Sequence, residues 1–393
     1  MSFGRDKRNV LVLSICQALF NSGRGLMFLA ATLVGANMLG ENLIFVTAPI
    51  TIMLVGTASG TLPAAHLMRL FGRKVGFVIG SVIGAGGCWI CYTSLPDNNF
   101  LLFNVGMFFY GIYSGFSQQY RFAVADAAPD NFKAKAISLV LAASVVGAVV
   151  GPETAKVTRN LFVDVEFAGS MLALIGLCLA TGLIVTFIDI PKLSREEYAD
   201  KGRPLLDIVA QPTFIVAFIA AAIGYVAMNI LMTATPLSMR LGSNFNFNDT
   251  ALVIEWHIIG MFAPGFFTGH LITRFGHIKV IFAGGLLLLL AVATALNGIT
   301  LTHFWVAMFL VGAGWNFTFT GGTALLTGVY TPSERNKVQG IYDFTVFSFM
   351  ALSSLSSGAI FHFLGWKWVN LSALPMVAIL LTATIWLAWI RRA

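Results

Sequence analysis

The sequence predicts an all-α membrane protein, with twelve transmembrane helices arranged as two pseudo-symmetric six-helix bundles. Composition is the first observation behind this: of 393 residues, 57% are apolar and only 10% charged, with a mean hydropathy of +0.83. Soluble domains run at roughly 45–50% apolar and 25% charged, so this chain belongs in lipid. The second observation is length patterning. A spanning helix needs about 20 mostly apolar residues, and twelve such runs are present. The third is a repeat: Ala65-His66-Leu67-Met68-Arg69-Leu70-Phe71-Gly72-Arg73-Lys74 returns 204 residues later as Gly269-His270-Leu271-Ile272-Thr273-Arg274-Phe275-Gly276-His277-Ile278.

Taken in order, span one covers 10–35 and contains Asn21, Ser22 and Arg24; it extends beyond a signal-peptide core and reads as a retained helix. Span two, 43–67, ends in the first basic turn, and span three, 75–95, carries Cys88 and Cys91. Span four covers 100–127, span five 134–155 and span six 167–189. The longest polar stretch, 191–211, follows and predicts a linker between a first bundle, 1–190, and a second, 212–393. Span seven is 212–236; span eight, 250–272, ends in the second basic turn; spans nine to twelve are 278–299, 303–328, 338–362 and 366–390. Helices are favoured over a barrel because barrel strands alternate over about ten residues and give a much weaker hydropathy signal, and open strands cannot satisfy their backbone in lipid.

The net charge of +7 does not point to nucleic acid, because most Lys and Arg fall at span ends or in loops on one side. Those around Arg8, Arg73, Lys133, Lys201, Lys279, Lys337 and Arg391 make that side cytoplasmic under the positive-inside rule. Both termini are then cytoplasmic, as an even number of spans requires.

The duplication extends further: Tyr110-Gly111 through Pro129 matches Ala313-Gly314 through Pro332 at a lag of 203. Two halves related in this way are a common plan of secondary transporters. The basic turn resembles the Gly-x-Leu-Ala-Asp-Arg-x-Gly-Arg-Lys motif between helices two and three of the major facilitator superfamily, and the resemblance covers essentially the whole chain. Ala65, Leu67, Gly72, Arg73 and Lys74 match it, as do Gly269, Leu271, Arg274 and Gly276 in the second copy. The acid of that motif is replaced by Arg69 and by Thr273. In the family this acid latches one conformation by pairing with basic groups, so another partner is needed here. Asp126, at the end of span four, is the first candidate for Arg69 or Arg73, and Glu334 the second.

In span five, Gly147-Ala148-Val149-Val150-Gly151-Pro152 resembles the Gly-x-x-x-Gly-Pro core of the family's antiporter motif. Two glycines four apart admit a close helix, and the proline permits a bend. The trailing Gly-Gly of the family is absent; Ala155-Lys156 stands there.

An ionisable group at the centre of a span costs roughly 2.5–3.5 kcal/mol on insertion scales, so the few present are candidates for function. For substrate contact these are Asn21 and Arg24 in span one, Tyr113, Gln118 and Arg121 in span four, Asn229 in span seven, His257 in span eight, and Trp315-Asn316 in span ten. Gln118 and Arg121, three apart, share a helix face. Glu255 in span eight and Asp343 in span eleven are the candidate proton carriers, since a carboxylate in low dielectric can titrate in the working range. Glu153 and Lys156 read as an interfacial pair, and Cys88-x-x-Cys91, lacking a second pair, as packing.

No Walker-type glycine loop, paired metal spacing or filter-like repeat is present. No cofactor, metal or enzymatic activity is expected. The reading is a monomeric transporter in the inner membrane of a bacterium, with protons, membrane lipid and a small organic solute as its partners and no nucleic acid. It works by alternating access, and the antiporter-like motif favours proton-coupled export. The alternatives are proton-coupled import of an organic anion, vitamin or metal chelate, favoured by Arg24 and Arg121, and an uncoupled sensor or channel.

Overall fold

The computed structural model describes residues 3–39, 48–190 and 202–391. Residues 191–201 of the expected linker therefore lie outside the described residues, as does the side chain of Pro152. Every described regular element is helical.

Span one is a single helix, Phe3–Leu39. Spans two and three, Ala48–Phe71 and Arg73–Ser94, are separated by Gly72 alone, with φ 88° and ψ 163°. In the second copy Gly276, at φ 87° and ψ 159°, separates Gly265–Phe275 from span nine, His277–Asn297. A positive φ of this size is open to glycine and strained for any residue with a Cβ. The repeat seen in sequence is thus a repeat of backbone conformation, and it depends on the same residue in both copies.

Three spans are broken. Span four is Phe100–Ser117 followed by Tyr120–Ala127, with the break at Gln118-Gln119. Span five is Lys133–Ala142 followed by Ser144–Thr158. Span eight is Phe247–Phe262 followed by Gly265–Phe275; the break falls at Pro264, which has no N–H to continue the ladder. Spans six, seven and ten are Ala168–Ile184, Pro212–Leu237 and Leu301–Leu326. Spans eleven and twelve lie within Arg335–Ile390, divided where Gly365 turns to φ 80°.

Among the described residues, eleven helices are long and apolar enough to cross a membrane. The sequence-predicted twelfth is span ten. It has the length, 26 residues, but carries Asn316 and several threonines and is buried along nearly all of 311–326. A helix enclosed by protein is released from the requirement to be apolar on every side.

The chain forms two compact units. The first comprises Met1–Ala128, Ala143–Lys201 and Pro332–Ser348. Within it, span four packs along spans two and three, and span one packs on the second helix of span five. The second comprises Pro129–Ala142, Gly202–Thr331 and Phe349–Ala393. There, span ten is surrounded by spans seven, eight and nine, and the first helix of span five packs on the second helix of span eight. Each unit thus takes one half-span from the other sequence half.

Gly147 and Gly151 illustrate the packing in the first unit. A Cβ at Gly147 would lie 2.7 Å from backbone atoms of Asn21 and Ser22, and one at Gly151 would lie 2.6 Å from the Ser22 carbonyl. The two glycines let span five meet span one backbone to backbone, the usual means of helix association in lipid.

Candidate functional site

In the first unit, the basic turn, the broken part of span four and the first turns of span eleven meet in one buried polar network. The Arg73 guanidinium is buried and donates to Asp126 Oδ2 from Nη2 at 2.8 Å and from Nε at 3.2 Å. Its Nη1 donates to Gln119 Oε1 at 3.0 Å, and Nη2 also reaches Gln339 Oε1. Gln119 in turn donates through Nε2 to Asp343 Oδ2 at 2.9 Å. The other oxygen of Asp343 pairs with Arg121 Nη2, and Arg121 Nη1 donates to Gln118 Oε1 at 3.0 Å. Asp343 and Gln119 are fully buried and Arg121 is 1% exposed. Arg335 adds a longer contact, 3.7 Å, to Asp126.

The break in span four makes this geometry. Residues two apart on a continuous helix do not share a face, yet Gln119 and Arg121 both reach Asp343 because the helix restarts at Tyr120. Gln119 and Gln339 are the links that sequence reasoning left out of the site. Periodicity alone excludes Gln119, since it assumes an unbroken helix. Arg69, the replaced acid of the motif, is half-buried beside Met68, and Asp126 takes Arg73 as its partner.

The small first residue of each basic turn serves as a contact. In the first unit a Cβ at Gly340 of span eleven would lie 2.8 Å from Ala65 Cβ. In the second unit a Cβ at Gly269 would lie 2.7 Å from Lys135 Cα, and Gly269 N donates to Ser138 Oγ at 2.9 Å. Ser138 Oγ itself donates to the Gly265 carbonyl. Arg274 is exposed, with its guanidinium 5.2 Å from the Phe275 ring.

Span one presents Asn21, whose Nδ2 donates to Ser144 Oγ at 2.8 Å and to the Gln17 carbonyl at 3.0 Å. Arg24 is half-buried, its guanidinium 5.5 Å from the Phe28 ring. Tyr113 is buried edge-on against Phe20 and Tyr110. Glu153 and Lys156 pair at 2.6 Å and are exposed.

The second unit holds an aromatic cluster on span ten. Trp315 stacks on Phe319 with ring centroids 5.0 Å apart and an interplanar angle of 15°; Tyr225 and Phe262 meet it edge-on at 5.1 and 5.7 Å. Trp315 is 1% exposed, and its Nε1 has no hydrogen-bond partner. His257 is fully buried and bonds through Nδ1 to the Met308 carbonyl at 2.8 Å. A carbonyl only accepts, so Nδ1 carries a proton, and Nε2 is left without a partner. Asn316 is spent on packing: its Nδ2 donates to the Met261 carbonyl at 2.7 Å, and its Oδ1 accepts from Thr268 at 2.7 Å. Asn229 donates to Ser353 Oγ at 3.0 Å. Glu255 is exposed, on another face of its helix from His257.

A separate cleft of about 130 Å³ in the first unit, between Asn37, Pro96, Asn98 and Glu166, is distant in sequence from all of these. It is well below the roughly 300–1,000 Å³ of a small-molecule site. Among the described residues no three His, Cys, Asp or Glu side chains converge as metal ligands.

Comparisons with known proteins agree on one kinship. The family model described as Major Facilitator Superfamily matches residues 13–263 and 217–393. A riboflavin transporter, RfnT, of Brucella anthropi is 39% identical over 381 residues, covering 96% of this chain and 95% of the relative. YdeG of Bacillus subtilis, named an uncharacterized MFS-type transporter, is 28% identical, covering 90% and 85%. Among solved structures, the E. coli fucose:proton symporter FucP superposes with a TM-score of 0.76 at 14% identity over 96% of this chain and 98% of that one. The proton:xylose symporter XylE gives 0.76 at 13% identity, covering 96% and 95%. A buried charge network on the duplicated basic turn, two related sets of spans and these matches have one reading: the chain belongs to the Major Facilitator Superfamily and is a multi-pass membrane transporter, not an enzyme.

Proposed function

We propose that this chain imports a flavin-class vitamin across the bacterial inner membrane, coupled to protons, by alternating access of two halves, 1–190 and 212–393, joined by the linker 191–211. The basic turns and both termini lie on the cytoplasmic side, and the protein works as a monomer. The substrate class is supported by the 39% identity with a riboflavin transporter over nearly the whole of both chains. It is also supported by the stacked Trp315 and Phe319, whose indole N–H is buried without a partner. A planar ring system with acceptor atoms suits such a cluster.

The observation that carries the mechanism is the Arg121–Asp343 pair, which joins span four of the first half to span eleven of the second. If the cytoplasmic ends of the halves separate during transport, this pair breaks. Leaving one charge of a buried pair without its partner costs about 3–5 kcal/mol, whereas a protonated Asp343 can leave Arg121 at far lower cost. Proton binding to Asp343 would thereby license opening toward the cytoplasm. Export, which the antiporter-like motif favoured, loses ground because Gly147 and Gly151 have a sufficient use in packing span five on span one.

Uptake of labelled riboflavin into proteoliposomes under an imposed pH gradient tests this. Accumulation with acid outside is expected. Asp343→Asn should abolish gradient-driven accumulation while retaining exchange of riboflavin for riboflavin. Absence of riboflavin uptake by the wild type removes the substrate reading. Uptake indifferent to the gradient removes the coupling, and accumulation only with acid inside reverses the direction.

A further inference from the structure

Gln119 sits at the break of span four and touches both buried ion pairs of the first unit. Its Oε1 accepts from Arg73 Nη1 at 3.0 Å, and its Nε2 donates to Asp343 Oδ2 at 2.9 Å. Neither contact works with the amide turned over. A guanidinium only donates and an ionised carboxylate only accepts, so the oxygen must face Arg73 and the nitrogen Asp343. The backbone on either side is pinned: Gln119 N donates to the Phe116 carbonyl at 3.1 Å, and Ala123 N donates to the Gln119 carbonyl at 2.9 Å. The amide is not pinned in this way. The last side-chain torsion of glutamine is broad and roughly two-fold, so oxygen and nitrogen can exchange places without movement of the chain.

Protonating Asp343 reverses what this amide has to present. Asp343 Oδ1 is held by Arg121 Nη2, which can only donate, so the added proton belongs on Oδ2, the oxygen that faces Gln119. Oδ2 then becomes a donor in a fully buried place, where an unmade hydrogen bond is costly. Gln119 meets it by turning its oxygen to Oδ2, and its nitrogen then faces Arg73, donor against donor. The Arg73–Gln119 bond is lost. The charges that act on Asp343 are Arg121 of span four and Arg73 of span three. Asp126 pairs with Arg73, and Arg335 contacts Asp126 in turn.

We propose that Gln119 is a positioning residue for proton coupling: its amide turns over when Asp343 is protonated, releases Arg73, and so passes the state of Asp343 to the basic turn at Gly72. This rests on the reading of Asp343 as the proton carrier and extends it from the Arg121 pair to the duplicated turn. Arg73 is the first residue of span three, directly after Gly72. The bond it gives up is one of those that tie the turn to span four, so one proton loosens two contacts of the seam.

The test uses full-length protein in phosphatidylcholine nanodiscs with a spin label on Lys74→Cys, beside Arg73 and exposed, the four native cysteines being buried. Label mobility is read by electron paramagnetic resonance with no substrate present, so the outcome does not depend on what the protein carries. Losing one bond to a charged group shifts an equilibrium by about tenfold or more, and the ratio of mobile to immobile label should rise by that factor as the buffer is taken from mildly alkaline to mildly acidic. Asp343→Asn, which offers Gln119 an N–H in place of Oδ2, should give the mobile spectrum at every pH. Gln119→Met fills the space without donor or acceptor, and its label should ignore both pH and Asp343→Asn. Gln119→Glu offers acceptors alone, so Arg73 should stay held and the label immobile whether residue 343 is Asp or Asn. A label indifferent to pH or to Asp343→Asn in the otherwise wild-type chain overturns the proposal, as does a response to Asp343→Asn that survives in either Gln119 variant. If one of those variants does not fold, the other decides. If the label behaves as expected while uptake ignores the pH gradient, the relay stands and the coupled-import reading falls by itself.

Discussion

Spans four and ten are copies of each other at a lag of 203, yet they hold opposite chemistry. Gln118, Gln119 and Arg121 of span four correspond to Gly321, Gly322 and Ala324 of span ten, and Asp126 corresponds to Val329. Span four is broken where its polar residues cluster, and span ten runs unbroken from Leu301 to Leu326. The seams around them differ in the same way. In the first unit, span eleven is held to spans three and four by the buried Arg121–Asp343 ion pair and by two glutamines, Gln119 and Gln339, while a second buried pair, Arg73–Asp126, joins spans three and four. In the second, span five is held to span eight by Ser138 and the bare backbone of Gly265 and Gly269. A duplicated scaffold has thus been specialised: one copy has a charged seam, and the other keeps a seam without ion pairs among the described residues and a buried aromatic cluster. Breaking each seam in turn should expose the asymmetry.

The largest effect is expected at Arg121–Asp343. Removing one member leaves an uncompensated buried charge, so Asp343→Leu and Arg121→Leu should each lower stability by about 3–5 kcal/mol. The double variant should recover a substantial part of the loss. Thermal unfolding in detergent over the full double-mutant cycle checks this, and a strictly additive cycle would contradict the coupling. Second in size is Asp126→Asn, which removes the carboxylate from Arg73 but leaves Gln119 and Gln339 in place. A loss of about 1.5–3 kcal/mol is expected, the range for a hydrogen bond to a charged group. A third variant, Gly151→Val, forces span five off the Ser22 carbonyl. Overpacking of this kind costs about 1–3 kcal/mol and should appear as a lower melting temperature without a change in the pH dependence of transport.

These same residues show what could be read from sequence. The helices were legible because lipid imposes a length and an apolarity that few other structures satisfy. Gly72 and Gly276 were legible as a repeat, and their matching positive φ explains why both copies keep glycine. Arg73, Arg121, Asp126 and Asp343 were legible as individual costs, since a charge in a span demands a partner. Their pairing was not. The acid of the family motif is missing at Arg69, and the partner of Arg121 is 222 residues away on another span. Nothing local in the sequence encodes that distance. Gln119 was hidden by the assumption of an unbroken helix. Asn316 was misleading in another way: a central amide suggests a ligand, but both ends of this one are bonded to span eight.

The smallest effect is expected at the neutral seam and sharpens the comparison most. Ser138→Ala deletes one hydroxyl that donates to the Gly265 carbonyl and accepts from the Gly269 amide. A neutral hydrogen bond contributes about 0.5–1.5 kcal/mol net, so the melting temperature should fall slightly. Because no titratable group takes part at Ser138, the pH profile of transport should keep its shape, with its amplitude alone reduced. In Asp343→Asn the profile should flatten. If Ser138→Ala also shifts or flattens the profile, the two seams move as one titrating device, and the division of labour between spans four and ten is wrong. If the profile holds, the proton's effect is confined to the charged seam, where Asp343 pairs with Arg121.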